Sequence, residues 1–239
     1  MLKQLAQSDD DWNVLYAAIQ ELARGWKDSP DTLSILKHLA QSDDNRAGRR
    51  AAVQELAQGW KDDPDILALL KQQAQFDDNR AGRSLAVEEL ARGWKDDPET
   101  LPIPKQHAQF DDNWAGRSLA AQELARGWKD DPKTLPWLKQ LAQSDDNWDV
   151  RYSAIRQLAR GWKDEPGIFE GLEDIAINYP FESKPTIYYN PRQRALEIMI
   201  KQYSDRPKTL EILRERFAND PDEQVRQFAQ EQLAKLEKL

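Results

Sequence analysis

The sequence lacks many of the side chains that small enzymes use for chemistry. Its 239 residues include no cysteine and only two histidines, His38 and His107. The absence of cysteine excludes disulfides, thiol catalysis and thiolate metal sites. The two histidines lie in different units and form no metal site, because a bound metal needs several converging ligands. We therefore predict that the chain has no cofactor and no metal and is not an enzyme.

Long apolar runs and an excess of positive charge are also missing. No run of about 18 apolar residues occurs, so the sequence predicts no membrane-spanning helix. The net charge of −8 argues against broad attraction to nucleic acid or to an anionic membrane. The first ten residues contain no apolar secretory region. We expect a cytoplasmic protein.

What the sequence does contain is a repeat. The tripeptide Gly-Trp-Lys returns every 34 residues, at 25–27, 59–61, 93–95, 127–129 and 161–163. A fixed period of this length is typical of solenoids, in which each unit buries its apolar face against its neighbours. The tryptophan of each tripeptide continues an apolar stripe, so we predict that it packs between adjacent units.

Each unit has the pattern of two helices. In the second 34-residue repeat, apolar residues fall at helical spacing from Leu33 to Ala40 and again from Ala51 to Trp60. Loop-forming residues at 42–45 separate the two stretches. The pattern predicts an all-α fold, namely an α-solenoid of about six helix pairs.

The units differ in regularity along a single predicted array, 1–239. The predicted plan is near-identical repeats at 1–166, a divergent repeat at 167–206 with an inserted loop near 179–190, and a capping repeat at 207–239. Pro98, Pro102 and Pro104 fall in one first helix. Because proline breaks or bends a helix interior, we predict a short or kinked helix there.

A second pattern places an aspartate in the loop between the helices and an arginine six residues later. It occurs as Asp43/Arg49, Asp77/Arg83, Asp111/Arg117 and Asp145/Arg151. Here the chain resembles the HEAT-repeat family, in which the arginine follows a valine, as at Val150-Arg151 and Val225-Arg226. The middle units depart from this pattern with Gly48, Gly82 and Gly116. The resemblance implies a ladder between stacked helix pairs and a concave face lined by the second helices.

The segment Gly-Trp-Lys-Asp-Asp-Pro is also similar to tandem helical repeats of cyanobacterial proteins, some of which follow a NACHT-type NTPase module. The similarity covers most of 1–166. It implies one alternative function, a sensor or recognition segment of a larger NTPase-type protein. No Gly-x-x-x-x-Gly-Lys-Ser/Thr phosphate loop is present, so this chain alone is not expected to hydrolyse nucleotides.

One position varies between units that are otherwise near copies. It lies just before the second helix and is occupied by Trp12, Arg46, Arg80, Trp114 and Trp148. Such a position suits the tuning of recognition, and drift at an exposed site is the alternative interpretation. We predict partner contacts for these residues, for Tyr152 and Arg156 on the second helix, and for Tyr188 and Tyr189 in the inserted loop.

The function predicted from the sequence is a non-catalytic scaffold that binds a protein or peptide on its concave face. Two enzyme classes with HEAT-like folds remain as alternatives. These are lyases that attach bilins to phycobiliproteins and glycosylases that remove alkylated DNA bases. No residue here can be matched to the first chemistry, and the acidic net charge argues against the second.

Overall fold

The computed structural model describes residues 2–8, 11–41, 46–179 and 190–236. Within these ranges the chain forms fourteen helices and no strand. The helices are α1 (Leu2–Ser8), α2 (Trp12–Gly25), α3 (Pro30–Gln41), α4 (Arg46–Gly59), α5 (Pro64–Phe76), α6 (Arg80–Gly93), α7 (Pro102–Phe110), α8 (Trp114–Gly127), α9 (Thr134–Ser144), α10 (Trp148–Gly161), α11 (Ile168–Asn178), α12 (Pro191–Gln202), α13 (Pro207–Asn219) and α14 (Glu223–Leu236). None of these helices is long and apolar enough to span a membrane.

Consecutive helices pack in pairs, and the predicted all-α repeat fold is confirmed. The described residues contain seven pairs rather than about six, because the shortened α1 still packs on α2. The short first helix predicted from the prolines is α7, which begins at Pro102 and has 9 residues. The equivalent α5 has 13 residues.

The chain divides into two compact units, Met1–Trp128 and Lys129–Leu239. In the first unit, α2, α4, α6 and α8 pack on one another in order, and in the second α10, α12 and α14 do the same. The second helices therefore form the spine of each unit. Their inward positions carry fully buried leucines, such as Leu56, Leu90 and Leu124 in the first unit and Leu196 in the second. Burial of this apolar surface stabilises the stacking of one pair on the next.

Three of the repeated tryptophans contact the repeat before their own. Trp128 is buried, and its indole Nε1 donates to the backbone oxygen of Lys95 at 2.9 Å. Lysine ammonium groups lie over two other rings, that of Lys27 5.6 Å from the Trp60 centroid and that of Lys129 5.9 Å from the Trp162 centroid. These rings join adjacent repeats.

The aspartate–arginine pattern forms a ladder between repeats. The ion pairs are Arg49–Asp77, Arg83–Asp111 and Arg192–Asp220, at 3.0, 2.8 and 3.0 Å. Each arginine thus pairs with the aspartate of the following repeat. Arg83 makes a different contact with the aspartate six residues earlier, because its Nη1 donates to the backbone oxygen of Asp77 at 2.9 Å. The ladder includes Arg83, which follows a glycine rather than a valine.

Glycine at the valine position is explained by close packing of the ladder. A Cβ added at Gly82 would lie 2.2 Å from Asp77 Oδ2. One added at Gly116 would lie 3.0 Å from His107 Nε2 and 3.1 Å from Asp111 Oδ1. The glycines therefore leave room for the carboxylates that accept the arginine hydrogen bonds.

The inserted loop lies mostly outside the described residues, as do Tyr188 and Tyr189. Its two ends are described. Tyr179 follows α11, and Asn190 caps α12 by accepting a hydrogen bond from the Arg192 N–H. The buried Asn190 also donates to Asp222 Oδ2 at 3.0 Å, which connects the end of the insertion to the last repeat.

Candidate functional site

The variable position of the sequence is the first residue of several second helices. Arg46, Arg80 and Trp114 begin α4, α6 and α8, and all three are exposed. Trp114 keeps 47% of its surface accessible. Asparagine caps fix two of these helix starts, because the side chains of Asn79 and Asn113 accept hydrogen bonds from N–H groups in the first turn. The first unit therefore presents these three side chains at equivalent points of successive repeats.

A surface groove of about 670 Å³ runs across this part of the first unit. It is lined by residues of α4, α6 and α8 and of the loops before α6 and α8, among them Arg46, Arg50, Arg80, Ser84, Ala115 and Leu119. Arg80 forms an exposed ion pair with Asp112 at 3.0 Å. Arg46 and Arg50 form no ion pair with any residue that the structure describes. We name this surface the arginine groove.

In the second unit the equivalent side chains are partly covered. The Trp148 ring lies 4.6 Å from that of Tyr179 and 6.2 Å from that of Tyr152. The guanidinium of Arg194 lies 5.8 Å from the Tyr152 ring centroid. Burial raises the pKa of the Tyr152 phenol. Among the predicted contact residues of α10, only Arg156 is exposed.

Trp148 and Tyr179 also line a cavity of about 560 Å³ between α9, α10 and α11. Sequence reasoning missed this cavity. The signal that could have indicated it is Tyr179 itself, which occupies the ladder position of Asp145 in the next repeat. Its hydroxyl accepts a hydrogen bond from Arg151 Nη2 at 2.8 Å. A tyrosine therefore replaces the carboxylate there and directs an aromatic ring towards Trp148.

Trp12 is the first residue of α2, but its side chain lies outside the described part of the structure. The structure consequently brings together Arg46, Arg80 and Trp114 in one unit, and Trp148 and Tyr152 in the other. Arg50 is not among the contact residues predicted from the sequence. Its place beside Arg46 follows from helical spacing, since residues four apart lie on one face.

Two glutamates of the second helices are buried beside arginines. Glu89 pairs with Arg92 at 2.7 Å, and Glu123 is hydrogen-bonded by Arg126. Burial raises the pKa of both carboxyl groups despite these cations. Both carboxylates are buried among the second helices of the first unit. Neither glutamate is among the residues that line the arginine groove.

His107 is also buried, and its Nδ1 lies 3.2 Å from Asp111 Oδ2. Burial lowers the pKa of its imidazole, an effect that the neighbouring Asp111 partly opposes. Among the described residues, no three His, Asp or Glu side chains are grouped so as to hold a metal ion.

Helix pairs stacked through their second helices and joined by an arginine–aspartate ladder define a helical-repeat protein of the α-solenoid class. The sequence model for HEAT repeats matches residues 1–91 and 64–159, more than half of the chain. The chain belongs to the HEAT-repeat family, as its aspartate–arginine pattern predicted.

Two solved structures are similar in fold. YibA of Escherichia coli aligns with 100% of this chain and 82% of its own, at 19% identity and a TM-score of 0.54. The complex of CpcE and CpcF of phycocyanin lyase from Nostoc sp. aligns with 96% of this chain and 92% of its own, at 14% identity and a TM-score of 0.48. At these identities the likeness shows the fold alone. Comparison with curated proteins finds no match.

The prediction that the chain is not an enzyme is wrong as an exclusion. It rests on missing cysteine and sparse histidine. One of the similar structures, the CpcE–CpcF complex, is named as a lyase, and this finding contradicts the exclusion. Its likeness to this chain assigns no reaction here.

Proposed function

We propose that this chain is a scaffold that binds a protein or peptide through the second-helix face of its first unit. One observation carries the proposal: Arg46, Arg80 and Trp114 are exposed at equivalent positions of α4, α6 and α8. Arginine and tryptophan contribute more binding energy at protein interfaces than most residues. A row of such side chains spaced one repeat apart suits an extended ligand, and extended surfaces are what helical-repeat proteins offer.

The second unit contributes less to the proposed surface. Trp148 and Tyr152 are half buried against neighbouring side chains, so we assign them and the exposed Arg156 a secondary role. Contacts of Trp12, Tyr188 and Tyr189 stay predictions, as does the cytoplasmic location. In the HEAT-repeat family the second helices line the concave face, and the proposed surface corresponds to that side.

The test is a selection of random peptides displayed on phage against the immobilised full chain, followed by affinity measurements on single peptides. The site variant replaces Arg46, Arg80 and Trp114 by alanine. The control variant replaces Lys61, Lys95 and Trp26 by alanine. It also removes two exposed cations and one half-exposed tryptophan from the first unit, since Trp26 is 49% accessible.

The expected result is that selected peptides bind the native chain and the control variant alike and bind the site variant at least about tenfold more weakly. Both variants should keep the native melting temperature within a few degrees, because all six positions are exposed. Failure to enrich any peptide over the bare support would overturn the proposal. Equal binding to all three proteins would show that the surface has been misassigned.

A further inference from the structure

We infer that the arginine groove recognises an acidic peptide segment with interspersed apolar side chains. The inference rests on the proposed function and adds the chemistry of the ligand. It starts from an imbalance of charge, because the chain as a whole carries a net charge of −8. Three arginines nevertheless line this one groove, namely Arg46, Arg50 and Arg80.

Two of these arginines have no acidic partner within the described structure. Arg46 and Arg50 are exposed, lie one helical turn apart on α4, and form no ion pair with any described residue. The side chains of Arg80 and Asp112 are 60% and 61% accessible. An exposed pair of this kind contributes little and is readily exchanged for a better partner.

The carboxylates that line the groove are fewer than its arginines. Glu88 is engaged by Arg92 at 2.7 Å, which leaves Asp78 as the other lining carboxylate. Arg46 and Arg50 form no ion pair with a described carboxylate, so both cations are available to the carboxylates of a ligand. Arginine suits this role because its planar guanidinium can bind a carboxylate through two hydrogen bonds.

Helix polarity adds to the imbalance. Arg46 and Arg80 are the first residues of α4 and α6, and neither helix has an acidic residue in its first turn. The start of a helix is its positive end, where acidic side chains are stabilising and basic ones are not. The positive ends of these two helices would therefore favour an anionic ligand in addition to the arginines.

The size and lining of the groove indicate a peptide rather than a single small anion. Its volume of about 670 Å³ spans three repeats, and Leu119 and Ala115 add apolar surface next to the arginines. The exposed Trp114 begins the same helix that carries both residues. Carboxylates would pair with arginine while apolar side chains of the ligand cover Leu119.

Nucleic acid also carries anions, but the rest of the chain disfavours it. Binding to a phosphate backbone draws on many basic contacts along an extended surface. The remaining charge of this chain is strongly acidic, and three arginines provide a local rather than a continuous basic patch. We therefore assign the groove to an acidic peptide, with nucleic acid as an outcome that the experiment can return.

The test uses fluorescence anisotropy with three labelled probes on the full chain. One is a peptide of about 14 residues that alternates glutamate pairs with leucine, and the second carries glutamine at every glutamate. The third is a thymidine oligonucleotide of about 14 nucleotides. The site variant is Arg46→Gln with Arg50→Gln, and the control variant is Lys61→Gln with Lys95→Gln. Each variant removes two exposed positive charges of the first unit.

The expected result is binding of the acidic peptide that weakens about tenfold or more in the arginine variant and is unchanged in the lysine variant. Binding should also weaken between about 50 and about 300 mM salt. Equal affinity for the acidic and neutral peptides, or equal losses in both variants, would overturn the inference. Tighter, arginine-dependent binding of the oligonucleotide would also overturn it and assign the groove to nucleic acid.

The outcomes separate this inference from the proposed function. Display selection could yield neutral or basic peptides whose binding still requires Arg46, Arg80 and Trp114. That result would support the scaffold function and contradict the inference that the ligand is acidic. If no peptide of any charge is enriched, the proposed function fails as well. The single variant R50S is the control for folding. Serine is tolerated at this position, since Ser84 and Ser118 occupy it in the next two repeats.

Discussion

Arg83 joins two consecutive repeats through Asp111. Its Nε lies 2.8 Å from Asp111 Oδ2, and the two side chains are 15% and 2% accessible. Burial alone would raise the pKa of Asp111, but hydrogen bonds from Arg83 and from the Asn113 N–H outweigh it and hold the pKa below its ordinary value. The carboxylate is therefore ionised at neutral pH and accepts hydrogen bonds within a packed interface.

Replacing Arg83 by alanine should cost about 3 kcal/mol of unfolding free energy, because it leaves a buried carboxylate without its cation. Urea denaturation followed by circular dichroism measures the loss. The matched control is Arg80→Ala, which removes an exposed pair with Asp112 at 3.0 Å and should change stability by less than about 1 kcal/mol. Similar small losses in both variants would mean that the ladder adds no stability.

Gly82→Ala should destabilise the chain although alanine favours helices more than glycine does. The new Cβ would lie 2.2 Å from Asp77 Oδ2. That carboxylate is held by Arg49 and by the Asn79 N–H, so moving it loses hydrogen bonds, at a cost of about 1 to 3 kcal/mol. In the control, Gly171→Ala, nothing lies within 4 Å of the new Cβ.

Gly171→Ala in α11 should therefore stabilise the chain by roughly 0.5 to 1 kcal/mol. Thermal unfolding of the two variants side by side tests both signs. A gain in melting temperature for Gly82→Ala would contradict the close packing of the carboxylate against the helix.

The buried glutamates predict a pH dependence of stability. Burial raises the pKa of Glu89 and Glu123 above the ordinary value of 4.5, so the folded chain holds these protons more tightly than the unfolded chain. The stability that they contribute is present below the unfolded pKa and is lost as the pH rises through the folded pKa. The variant E89Q/E123Q should lose less melting temperature than the native chain between about pH 4.5 and about pH 7.

Glu21 occupies the same repeat position and is exposed. Glu21→Gln is therefore the matched control, and its melting temperature should follow the native pH profile. Parallel profiles for the native chain and E89Q/E123Q would show that burial does not perturb these carboxyl groups.

Phe76 and Phe110 should be replaceable by serine without loss of stability. The two rings are 73% and 70% accessible at the ends of α5 and α7, and serine stands at this position in three other repeats. The double variant should stay within about 0.5 kcal/mol of the native chain in urea denaturation. Phe169→Ser, at a site that is only 6% accessible, is the contrasting case and should cost about 3 kcal/mol or more.

Much of the fold could be predicted because the same two-helix pattern recurs every 34 residues. Apolar spacing within each 34-residue unit marks two helices, and Pro102 marks the start of the shortened α7. The partner of each ladder arginine could not be predicted from one unit. Its spacing matches the aspartate of its own loop, whereas stacking brings the carboxylate of the next repeat to the guanidinium, as for Arg83 and Asp111.

The exposure expected at the variable position is found for Arg46, Arg80 and Trp114, which begin their helices. Their role in binding stays a prediction. Trp148 occupies the same position in the sequence but is half buried. The difference comes from Tyr179, whose ring lies 4.6 Å away. Comparing only the equivalent positions of the repeats does not predict this burial, because it depends on Tyr179 in the following repeat.

The ladder also bears on how such a chain can change in length. Arg83 offers a guanidinium to the repeat after it, while Asp77 offers a carboxylate to Arg49 in the repeat before. A repeat of this kind therefore supplies one partner of an ion pair at each of its two borders, the aspartate to the repeat before and the arginine to the repeat after. Duplication or deletion of one whole copy recreates the same ion pair at the new border. Unequal recombination between such repeats can thus lengthen or shorten the gene in steps of 34 codons while the arginine–aspartate pair is kept at the new border.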